Sequence, residues 1–86
     1  MILADLIYWM RNRLVEALDK DDRQELANLM SAFQMVLDAS YTYENRELSG
    51  LLQDLVYSAQ HGAMGVQFKA RGAVPTDEAI EKVFAS

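Results

Sequence analysis

The residues whose types could do chemistry lie on one apolar-periodic segment, read as a helix from about Glu44 to His61. Along one side of it stand Glu47, Asp54, Ser58 and His61, which bring together two carboxylates, a hydroxyl and the one histidine of the chain. A Ser-His-Asp mechanism needs the base within about 3 Å of the nucleophile and an oxyanion hole beside it. Ser58 and His61 stand one turn apart, but Asp54 is roughly 10 Å along the axis from His61. The chain also has no strained nucleophile elbow and no Gly-rich oxyanion loop. Metal ligation meets the same obstacle, because helical ligand pairs sit one turn apart and Glu47 and Asp54 are each two turns from the next strong ligand. A solvated helix face explains the stripe more simply. No catalytic, metal-binding or cofactor-binding residue is assigned, and no cofactor is expected.

Composition narrows the remaining classes. Thirteen acidic and eight basic residues give a net charge of −5, whereas holding a phosphate backbone rests on clustered Lys and Arg. Direct nucleic-acid binding is therefore not expected. There is no cysteine, hence no disulfide framework, thiolate metal site or thiol nucleophile, which suits a cytoplasmic setting. Half of the 86 residues are apolar, enough for one hydrophobic core and a single domain over residues 1–86.

The element that organises the chain is the N-terminal stretch from Met1 to Asp19. Leu3, Ile7, Met10, Leu14 and Ala17 recur at alternating steps of four and three, with Leu18 one turn after Leu14, which predicts a helix. Ile2, Leu6 and Trp9 form a second apolar row beside the first, so the apolar arc is wider than the roughly 100° of an ordinary surface helix. Two explanations stand: a central helix covered by several neighbours, or a face on which the Ile2, Leu6 and Trp9 edge meets a second copy or another protein. Trp suits such a contact, because it buries a large area and keeps one N–H donor. A signal peptide would carry its positive charge before the apolar core, and here Arg11 and Arg13 follow it while Asp5 interrupts it. The run is also too short to span a membrane, and no membrane partner is expected.

The rest of the chain reads as helices joined by short connections. Asp22 with Glu25, or Asp21 with Gln24, has capping-box spacing, opening a second helix from about Arg23 to Ala39 with Leu26, Leu29, Met30, Phe33, Val36 and Leu37 on one stripe. The short connection makes the first two helices an antiparallel hairpin, while Met35 falls off the stripe. Thr42 or Asn45 would cap the third helix, whose core stripe is Leu48, Leu51, Leu52, Leu55, Val56 and Ala59. Gly50 interrupts it on the outer side. Gly62 and Gly65 suit positive φ at the helix end. Val66 to Lys69 alternates apolar and polar, a pattern that suits a brief extended segment, either an arm across the bundle that buries Val66 and Phe68 or a strand paired with a second copy. Thr76 followed by Asp77 and Glu78 starts a last short helix to Phe84.

The expected fold is all-α, a small three-helix bundle with an irregular or briefly extended segment and a short C-terminal helix. The expected function is that of a non-enzymatic acidic interaction protein, a regulator, adaptor or inhibitor, docking through the apolar face of its N-terminal helix as a homodimer or on another protein. Its interface residues would be Ile2, Leu6, Trp9 and Arg13, with Tyr41 and Tyr43 at the rim. Two alternatives remain: an acidic blocker of a nucleic-acid-binding protein, working by charge complementarity, and a small helical enzyme or ligand-binding protein that uses His61.

Overall fold

The computed structural model describes residues 3–40 and 45–85, and these form an all-α bundle with no strand among the described residues. Its helices are α1 (Leu3–Asp19), α2 (Arg23–Ser40), α3 (Arg46–Ala63), α4 (Gln67–Gly72) and α5 (Asp77–Phe84). The single core draws on all five, from Ile7, Met10 and Leu14 of α1 through Phe33 of α2 and Leu52 and Leu55 of α3 to Ala70 of α4 and Ile80 of α5. The most extensive packing joins α2 to α3, more than α1 to α2. At the far end of the α2–α3 pair the buried hydroxyls of Ser40 and Ser49 meet at 3.3 Å, and Ser40 also donates to the Leu37 carbonyl at 2.7 Å.

The turn from α1 into α2 is set by backbone hydrogen bonds that need a left-handed residue. The Asp22 N–H bonds the Ala17 carbonyl at 3.0 Å and the Asp21 N–H bonds that of Leu18 at 3.1 Å, the paired bonding of a Schellman motif. Asp21 accordingly sits at φ 48°. Asp22 then begins the next helix, its carboxylate accepting from the Glu25 N–H at 3.1 Å. Only this half of the expected capping box forms, because the Glu25 carboxylate turns to Arg13 instead.

The end of α3 repeats the device and corrects the reading of its glycines. Val66 N–H bonds the His61 carbonyl at 2.8 Å, and Gly65 N–H bonds that of Gly62 at 3.0 Å. Gly65 alone takes the positive φ, 80°. Gly62 is instead a point of close approach: a Cβ there would lie 2.7 Å from Cδ2 of Leu18 and 3.0 Å from Cδ1 of Leu26. Asn45, one of the two expected caps, accepts from the Leu48 N–H at 3.0 Å, whereas Thr42 lies outside the described residues.

The expected extended segment is a helix. After the turn at Gly65 the Ala70 N–H reaches the Val66 carbonyl at 3.1 Å, closing a turn of α4, and the fully buried Ala70 packs on α3. This winding buries Ala70 and carries Phe68 outward, where it is 91% exposed. Thr76 caps α5 as its sequence predicts, accepting from the Ala79 N–H at 3.1 Å. Arg11 of α1 ties this end down by donating to the Pro75 carbonyl at 2.9 Å and pairing with Asp77.

Candidate functional site

Helix α1 packs by the residues its periodicity selects, since Ile7, Met10, Leu14, Ala17 and Leu18 are buried. Leu3 shares their phase but stays 44% exposed. Two neighbours flank the core side. Arg13 pairs with Glu25 of α2 at 2.9 Å, and on the other flank Arg11 reaches Asp77 and stands over the Tyr8 ring at 5.6 Å. From the Arg13 flank outward, Asp5, Trp9 and Arg13 follow one another at successive steps of four along a row exposed to solvent.

Trp9 is the centre of that face and is 53% exposed. The Arg13 guanidinium lies over its ring, 5.5 Å from the centroid, an arrangement attractive through the ring quadrupole. Because Arg13 is also held by Glu25, the stack fixes the side of Trp9 from which the cation approaches. Of the expected interface residues, Leu6 is partly buried and packs against the core, so it supports the edge of the face more than it presents itself. Trp9 and Arg13 are brought together in the open. Ile2, Tyr41 and Tyr43 lie outside the described residues.

The polar stripe of α3 is not assembled as a catalytic unit. Ser58 is fully buried, and its hydroxyl donates to the Ala70 carbonyl at 2.7 Å, which corrects its placement on a solvated face. The reason is α4, which covers that side of α3. His61 makes its contact elsewhere: Nδ1 lies 3.0 Å from the Tyr57 carbonyl, and the two rings stack with centroids 4.0 Å apart. Asp54 lines an open groove of about 560 Å³ with Tyr57, Lys69 and Pro75, and partial desolvation raises its carboxyl pKa above its ordinary value. No group of three or more potential metal ligands is gathered among the described residues, and no described helix is long and apolar enough to cross a membrane.

A second exposed apolar position lies around the end of α3 and the start of α4. Phe68, expected under cover, is the most exposed large apolar side chain described, and Met64 just before the turn is 63% exposed. The signal available was the glycine-delimited turn, which allows a new helix to start just after Val66 and changes which residues face inward. Comparison with protein-family models, with curated proteins and with solved structures finds no significant match.

Proposed function

We propose that this protein is a non-enzymatic interaction module that docks through the outward face of α1. The observation that carries this reading is Trp9, a large aromatic side chain held half out of the bundle beneath a stacked arginine. Trp and Arg are the residue types that most often dominate interface energetics, because each combines a large contact area with directed polar groups. The surrounding surface is charged and mixed in sign, as befits the rim of a docking site. A second copy or another protein would meet the same anchors.

The test uses the fact that Trp9 is the one tryptophan of the chain, so its emission reports this face alone. Association should shift the emission to shorter wavelength as the indole leaves water. Trp9→Glu should abolish association, measured by light scattering over a concentration series, and leave the helical circular dichroism signal unchanged. Unfolding by this substitution would place Trp9 in the core and overturn the reading.

A further inference from the structure

We infer that the occupant of the α1 face is a second copy of this chain, with the two α1 helices packed antiparallel about a two-fold axis beside Trp9; this rests on the docking role of that face. The positions of the charges on α1 are complementary between two copies. In such a pair residue i of one protomer faces residue 18 − i of its partner, so Trp9 faces Trp9 and Asp5 of each protomer faces Arg13 of the other. Asp5 and Arg13 are both exposed, they lie at equal steps of four on either side of Trp9, and they carry opposite charge.

The geometry suits a common mode of helix packing. Asp5, Trp9 and Arg13 form an i±4 ridge, and two such ridges align when helices cross at about −50°, the class most frequent between helices in globular proteins. On that ridge each charged residue stands roughly 6 Å along the axis from Trp9. Asp5 has no cationic partner among the described residues. Arg13 uses one terminal nitrogen for Glu25 and retains further N–H donors for a second carboxylate. A parallel pair would set Asp5 against Asp5 and Arg13 against Arg13, which like-charge repulsion disfavours. An isologous interface is also the commonest symmetric assembly.

The test is a charge exchange with the full chain. Asp5→Arg and Arg13→Asp should each weaken self-association by about tenfold at low salt, because each replaces two attractions in the symmetric dimer by two repulsions. Mixed in equal amounts, the two variants should recover a heterodimer, since Arg at position 5 of one meets Asp at position 13 of the other and the native Asp5 meets the native Arg13. The recovery should shrink as salt is raised. Sedimentation velocity on each variant and on the mixture reads all three effects, with circular dichroism confirming that each is folded.

Loss of self-association in Trp9→Glu without recovery in the mixture would overturn the antiparallel register and leave the docking face standing. A wild-type chain that remains monomeric at high concentration would overturn the second copy as occupant. Self-association that survives Trp9→Glu unchanged would remove both this inference and the reading on which it rests.

Discussion

At the scale of single residues, two glycines of α3 show how the same residue type can cost stability at one position and be required at another. Gly50 has nothing within 4 Å of where a Cβ would lie, so its only effect is the backbone freedom it gives the unfolded chain. Gly50→Ala should therefore stabilise the protein by about 1 kcal/mol. A Cβ at Gly62 would lie closer to buried Leu18 than ordinary Cβ contacts allow and tightly against buried Leu26. Overpacking of this kind costs about 1–3 kcal/mol, and the improved helix propensity returns about 1 kcal/mol of it, so Gly62→Ala should destabilise by about 1 kcal/mol. Urea unfolding of the two variants checks the opposite signs. The wheel position of Gly50 already placed it on the outer side, but the crowding at Gly62 depends on contacts with α1 and α2 that the local pattern does not contain.

At the scale of elements, the long helices were legible because each repeats its apolar period over several turns, and the caps at Asp22 and Asn45 mark the starts of α2 and α3, as Thr76 marks that of the short α5. Helix α4 was not. Its six residues give fewer than two turns, Val66 to Lys69 fits a period of two as well as a helix, and its inward residue is Ala70, too small to register as a core position. The missed helix also explains the misplacement of Ser58 and Phe68, since α4 covers the first and lifts out the second. For the candidate face, the excess apolar width of α1 pointed to Trp9, whereas the coverage of Leu6 depended on tertiary packing. Partial burial, then Glu81 and Asp77, raise the Tyr8 hydroxyl pKa above its ordinary 10.0, with Arg11 opposing and Glu78 adding to the rise. The folded chain thus keeps this proton at a pH where the unfolded chain has lost it. Stability from this source is fully present below pH 10.0 and is lost as pH rises through the folded-state value. Tyr8→Phe should flatten the fall of the urea midpoint above about pH 10 and leave the midpoint near neutrality little changed.

At the scale of the whole molecule, one small core must support every element, while the proposed docking anchor lies outside it. Net stability of about 0.05–0.15 kcal/mol per residue gives a chain of this length roughly 4–13 kcal/mol. The exposed ion pairs that link α1 to α2 and α4, Arg13 with Glu25 and Asp19 with Arg71, each contribute about 1 kcal/mol or less. Burial in the core must therefore carry the fold, and Leu52, fully buried in α3, belongs to that cluster. Leu52→Ala should cost about 2–5 kcal/mol through lost burial and the cavity left behind, a large share of the total. Trp9→Ala removes a larger side chain but one already half in water, and should cost the isolated protomer about 1 kcal/mol or less. Urea unfolding of both variants at low protein concentration, where association is negligible, makes the comparison. The larger truncation should give the smaller loss, because α1 spends its inward side on folding and leaves Trp9 available for contact. A loss at Trp9 equal to that at Leu52 would make the indole part of the core and leave α1 without a docking face.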